Sequence, residues 1–202
     1  MIAIIDYGVG NLGSVEKALK FIGLKAVVTS DAGVIGRADG VVLPGVGAFS
    51  SAMASLESHG LVQAVKDIVR ENRLFFGICL GMQMLFEHSE EGGGKVEGLS
   101  LFKGEVRALS GDMGLKVPHM GWNSLDISDC PLYKGLPDKP YVYFVHSFYL
   151  NAGDKSMVTA TCDYGVTFDA AIGSGRVFAT QFHPEKSGET GLTILKNWAG
   201  LI

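Results

Sequence analysis

The sequence predicts an α/β fold: an open, mostly parallel, twisted sheet with helices on both faces, and antiparallel additions in the C-terminal half. Two observations carry this. Over residues 1–90 short apolar runs alternate with helical patterns, the signature of parallel strands joined by crossover helices. Beyond residue 100 the helical patterns give way to short strand candidates separated by Gly or Pro. No repeat, low-complexity tract or linker interrupts the 202 residues, so one domain over residues 1–202 is expected.

Taken in order, residues 2–5 read as a buried strand and residues 14–22 as a helix with Ser14 as its N-cap. Residues 24–29 and 41–43 read as strands. Residues 49–57 and 61–72 read as helices broken at Gly60. Residues 74–76 form a strand that enters a turn, residues 82–88 continue the helix that the turn opens, and residues 90–94 make a polar, glycine-rich loop. Strand candidates follow at 102–109, 116–118, 141–144, 157–161, 167–172 and 177–181. A closing helix spans 190–198, with Leu192, Leu195 and Ala199 near helical spacing.

Composition narrows the function. The chain is 47% hydrophobic and 19% charged with a net charge of −4. It has no Lys/Arg block of the kind that binds nucleic acid or an anionic membrane. Three cysteines, an odd number, argue against a disulfide framework. The apolar start meets Asp6 too soon for a signal peptide or membrane span, which predicts a reducing cytoplasm. The ends at Met1 and Ile202 suggest an unfused subunit. The five histidines are scattered without paired ligand spacing, so neither a metal nor a cofactor is expected.

The chemistry sits in two short strings. Gly77-Ile78-Cys79-Leu80-Gly81 follows an apolar run, the layout of a nucleophile elbow. His183-Pro184-Glu185 places a base and a carboxylate two residues apart, on one face if the segment is extended. Together they suggest a Cys79–His183–Glu185 triad. A thiol at a helix N-terminus beside an imidazolium is biased toward the thiolate, and the N–H of Leu80 is a natural oxyanion donor. Three glycine-rich loops, at residues 6–11, 44–47 and the elbow, follow strands and should line one rim, where open α/β sheets bind ligands. Gly8, Gly10 and Gly13, with Asp31 further on, approach a dinucleotide fingerprint, a reading the catalytic strings outweigh.

These strings resemble the class I (triad) glutamine amidotransferases. Residues 5–14 (Ile-Asp-Tyr-Gly-Val-Gly-Asn-Leu-Gly-Ser), 118–123 (Pro-His-Met-Gly-Trp-Asn) and 143–147 (Tyr-Phe-Val-His-Ser) narrow the resemblance to the glutaminase subunits of imidazole glycerol phosphate synthases. The resemblance covers essentially the whole chain and implies a flavodoxin-like sheet. It implies that Cys79 attacks the carboxamide of L-glutamine, that His183 moves the protons and that Glu185 orients His183. A second oxyanion donor would come from the amide of Val46 or Gly47. Gly45 and Gly47 flank Val46, which suggests a peptide free to rotate and a hole that a partner switches. Gln83, Ser147 and Tyr143 are the implied glutamine contacts; relatives often carry Tyr where this chain has Phe148. The implied partner is a (β/α)₈-barrel cyclase that accepts the ammonia, contacted through the loop holding Asn11, through Pro118, Met120 and Trp122, and through Lys186. Three rival readings are the glutaminase of a pyridoxal phosphate synthase, whose Gly-Gly-Glu-Ser string is missing here, a stand-alone cysteine hydrolase, and a non-catalytic subunit.

Overall fold

A computed structural model describes residues 1–111 and 114–202. The first half runs β1 (Ile2–Ile5), α1 (Leu12–Phe21), β2 (Ala26–Thr29), α2 (Ala32–Arg37), β3 (Gly40–Gly45), α3 (Phe49–Ser58), α4 (Val62–Arg70), β4 (Phe75–Cys79) and α5 (Leu80–Gln83). Next come β5 (His88–Ser89), β6 (Val96–Glu97), β7 (Gly104–Ala108), β8 (His119–Ser124) and β9 (Asp126–Ile127). The chain ends with β10 (Tyr141–His146), β11 (Phe148–Ala152), β12 (Val158–Asp163), β13 (Thr167–Ser174), β14 (Val177–Thr180) and α6 (Gly188–Ala199).

Among the described residues twelve strands join one sheet, ordered β2-β1-β3-β4-β14-β13-β11-β7-β5-β6, with β12 paired to β13 and β9 to β12. The run from β2 to β14 is parallel and the links from β14 to β7 are antiparallel, as the change of pattern after residue 100 predicts. β8 and β10 pair separately as an antiparallel ribbon. The central strands β1, β3 and β4 are buried at every residue, which is why they read as apolar runs without alternation. One core packs Ala3, Ile5, Leu43 and Phe75 under α3 and α4; the other packs Ile2, Ile4, Phe76 and Trp198 under α1 and α6. Pro44 lies inside β3 but beyond Val42, the last residue paired with β1, so the missing N–H breaks no ladder bond to β1. None of the helices is long and apolar enough to cross a membrane among the described residues.

Four expectations change. The first helix starts at Leu12 with Asn11 as N-cap, so Ser14 lies inside it. α2 was not expected; it forms because the Asp31 carboxylate accepts from the N–H groups of Gly33 and Val34, a capping role for the acid that the dinucleotide reading needed. The helix expected over 82–88 stops at Gln83, because the carbonyls of Met84, Leu85, Phe86 and Glu87 accept from the amides of Leu99, Leu101, Ser100 and Gly98 instead of continuing an intrahelical ladder. Residues 116–118 are not a strand; pairing starts at His119, opposite His146.

Candidate active site

The elbow is a consequence of crowding. β4 is clamped between β3 and β14, with Cys79 opposite Gly45. The chain turns directly into α5, packed so tightly on β3 that a Cβ on Gly81 would lie 1.9 Å from the Leu43 carbonyl oxygen. Cys79 absorbs the turn with φ 54° and ψ −108°, a backbone conformation that costs an L residue roughly 1–3 kcal/mol. The strain lifts the thiol out of the strand and into a cavity of about 320 Å³. α5 has a single turn, so the helix terminus is a weak source of field and the polarity around Cys79 comes from side chains.

The same cavity is lined by His183, Leu80, Val46, Gly47, Gln83, Ser147 and Pro118, so both expected oxyanion segments and two of the three expected substrate contacts meet at Cys79. Tyr143 does not line it. Its carbonyl accepts from the His183 N–H and its N–H donates to Ser187 Oγ, which in turn donates to the His183 carbonyl. Tyr143 therefore braces His183 from behind. The base pairs with its carboxylate as expected but by another route: residues 184–186 form a 3₁₀ turn, and within it His183 Nδ1 donates to Glu185 Oε1 at 2.8 Å. That bond leaves Nε2 toward the cavity, without a hydrogen-bond partner among the described residues. Burial opposes the imidazolium, but Cys79 and then Glu185 outweigh it and raise His183 from 6.5 to about 10.

Residues that sequence reasoning passed over complete the wall. Glu91, from the glycine-rich loop, lines the cavity while Oε2 accepts from the Phe49 N–H at 2.5 Å. His146 also lines it; Nδ1 donates to the Phe148 carbonyl at 2.9 Å, and Nε2 lies 3.0 Å from Nδ1 of buried His119. Gln181 is fully buried, with its side-chain nitrogen 3.5 Å from Cys79 Sγ. An i, i+2 relation to His183 was the available signal for Gln181. Gly45, one of the two glycines behind the expected rotation of the Val46 peptide, also has a packing reason. A Cβ there would meet the Gly81 nitrogen, Leu80 Cβ and Tyr7 Oη, each at 2.9 Å.

Around the rim, Met120 and Trp122 are 62% and 56% exposed, and the Trp122 ring stands against Tyr143. Lys186 Nζ lies 5.9 Å from the Tyr143 ring centroid. Asn11 occupies the N-cap position of α1, without a side-chain capping bond, in the loop whose Gly10 approaches Pro44.

Burial lowers His119 to about 4 and His146 to about 3. The unfolded chain therefore takes up protons that the folded chain refuses as pH falls below 6.5, and stability declines on the acid side. His183, raised to about 10, holds a proton in the folded state that the unfolded chain loses above 6.5, so stability also declines as pH rises toward 10. Buried Cys162, pushed up to about 12, adds to the alkaline loss above 9. Thermal midpoints measured from pH 4 to 10 should peak near 6.5, and His183→Gln should flatten the alkaline limb; a midpoint that keeps climbing to pH 9 contradicts this.

A family model described as "Glutamine amidotransferase class-I" matches residues 3–200. The chain is 53% identical to "Imidazole glycerol phosphate synthase subunit HisH" of Caldanaerobacter subterraneus subsp. tengcongensis, covering 100% of this chain and 98% of that one. The protein of the same name from Syntrophotalea carbinolica is 50% identical, with 100% of both chains covered. Among solved structures, a glutamine amidotransferase superposes with a TM-score of 0.75 at 18% identity, over 98% of this chain and 100% of that one. PurLQS from Thermotoga maritima gives 0.72 at 20%, over 99% and 97%. The fold is shared over nearly the whole chain, and the elbow and the His183–Glu185 pair lie within the span that the family model matches: the chain belongs to the class-I glutamine amidotransferase family.

Proposed function

We propose that this chain is the glutaminase subunit of an imidazole glycerol phosphate synthase and works as one domain over residues 1–202. The observation that carries the reading is the strained Cys79 opening into one cavity with the His183–Glu185 pair. Full-length identity of 50% and more to subunits of that name supports it.

Glutamine enters with its carboxamide carbon over Cys79 Sγ. The thiol proton already rests on His183 Nε2, as the rise of His183 to about 10 beside Cys79 requires, and the sulfur adds to the carbon. The resulting oxyanion is held by the N–H of Leu80 and by that of Val46 or Gly47; removing one such donor typically costs about 10²- to 10³-fold. His183 returns its proton to the leaving nitrogen, the C–N bond breaks, and ammonia departs from a γ-glutamyl thioester. Water, deprotonated by His183, then adds to the thioester carbon; the C–S bond breaks and glutamate leaves. Glu185 keeps Nδ1 protonated throughout and stabilises the imidazolium.

The amino-acid end of the substrate needs opposite charges and fixed donors. Glu91 suits the α-ammonium, with Gln83 and Ser147 close by. Glu91→Gln should raise KM by roughly tenfold with kcat little changed, the size of one charge-assisted hydrogen bond; an unchanged KM removes Glu91 from the substrate.

The partner is a (β/α)₈-barrel cyclase that takes the ammonia and forms imidazole glycerol phosphate and aminoimidazole carboxamide ribotide in the cytoplasm. Met120 and Trp122 suit the centre of that interface, with Asn11, Pro118 and Lys186 beside them. The test is glutamate release by this chain alone, and then with a cyclase subunit and its nucleotide. Strong stimulation by the liganded partner supports the reading. High activity alone, indifferent to the partner, favours a stand-alone hydrolase.

A further inference from the structure

The amide hydrogen bonds behind the nucleophile have a polarity that the structure dictates. The Phe148 carbonyl oxygen can only accept. Gln83 reaches it at 2.9 Å, so Gln83 must present its nitrogen there. That same nitrogen is 2.8 Å from the side chain of Gln181, so Gln181 must present its oxygen to Gln83. The other end of the Gln181 amide is then its NH₂ group, and it lies 3.5 Å from Cys79 Sγ. The reverse orientation would set two NH₂ groups against each other and an oxygen against the sulfur. Both glutamines are buried, and the Gln181 backbone N–H is fixed to the Ala170 carbonyl at 2.8 Å.

We propose that Gln181 is a further catalytic residue, which donates a side-chain N–H to Cys79 Sγ and stabilises the thiolate, and that Gln83 is the positioning residue that sets its polarity. No proton leaves Gln181. When Cys79 ionises, its proton goes to His183 Nε2 and the largely buried sulfur gains an N–H···S⁻ hydrogen bond, stronger there than in bulk water. When the C–S bond forms, the sulfur loses its charge and the hydrogen bond weakens. Gln181 therefore increases the population of thiolate while making each thiolate a somewhat weaker nucleophile. The other ionisable groups near the sulfur are His183 with Glu185 behind it, Tyr7 from the loop after β1, and Glu91 and His146 on the cavity wall. None of them is removed by replacing Gln181.

The inference rests on Cys79 being the nucleophile, and the test separates the two. Iodoacetamide alkylation is followed at the Cys79 peptide by mass spectrometry from pH 5 to 10, with no glutamine or partner present. Gln181→Leu should move the midpoint of the rate profile up by about one to two pH units and slow alkylation roughly ten- to a hundredfold below it. The high-pH plateau should stay level or rise. Gln181→Glu keeps an acceptor for Gln83 but turns a carboxylate toward the sulfur, and should move the midpoint further. In the wild type, the Gln181 side-chain NH₂ resonances should titrate with the same midpoint. Folded variants with wild-type profiles, or NH₂ resonances indifferent to that midpoint, overturn the role of Gln181. A wild-type Cys79 that reacts no faster than a free thiol overturns the nucleophile itself.

Discussion

Cys79→Ala should remove glutamine hydrolysis almost entirely, with a loss on the order of 10⁶-fold where the nucleophile of a comparable triad is deleted. Among the described residues no second cysteine lines the cavity. Cys162 is buried in β12 and its thiol is pushed up to about 12 by burial, and neither it nor Cys130 lines the cavity. The same substitution carries an electrostatic signature. Cys79 is the largest influence holding His183 up against its burial. In Cys79→Ala that influence is gone, burial gains weight, and the imidazole should titrate clearly below its wild-type position while remaining bonded to Glu185. NMR of ring-labelled histidine reads this directly. An alanine variant whose His183 titrates as before would show that the thiol and imidazole are not coupled.

Gly81→Ala should cost at least about 3 kcal/mol, at the upper end of overpacking effects, because the added Cβ would sit 1.9 Å from a backbone oxygen of β3 that cannot move aside. Relief requires α5 to lift off β3, which carries the Cys79 backbone and the Leu80 N–H with it. Activity should therefore fall together with stability, and chemical denaturation alongside glutamate release measures both. Gly36→Ala is the matched control: its Cβ meets nothing within 4 Å, it lies within α2, and it should be neutral or stabilising by up to about 1 kcal/mol. Equal midpoints for the two variants would mean that the elbow tolerates a gap between helix and strand.

Much of this was legible in the sequence where the controlling interaction is local. β1 and β4 are continuous apolar runs because both their faces are covered, and the elbow is legible because Gly-x-Cys-x-Gly states its own crowding. Legibility fails where distant groups compete for the same backbone. Met84-Leu85-Phe86 has helical character, yet residues 98–101 claim its carbonyls, and no window around residue 85 contains that fact. β8 escaped because Gly121 and Asn123 break its apolar pattern; its partner β10 supplies the reason to be extended. In the site, the triad is legible as two strings. Glu91 reads as a solvated acid in a polar loop, and only the fold turns it to the cavity. Tyr143 lies in a string that marks the substrate wall, but its alternate position in β10 puts it behind His183.

That alternation has a consequence for how the protein can change over evolutionary time. In the ribbon, Met120 opposite Val145 and Trp122 opposite Tyr143 take one side, while His119 opposite His146 and Gly121 opposite Phe144 take the other. Substitutions of Met120 and Trp122, which stay exposed, can accumulate without disturbing the buried histidines, while Val145 on their side is held by the cavity it lines. A single inserted or deleted residue in β8 cannot, because it exchanges the sides: the tryptophan would go into the core and a histidine to solvent. Lineages should therefore vary this ribbon by replacement, and place any change of length in the turns beyond its ends.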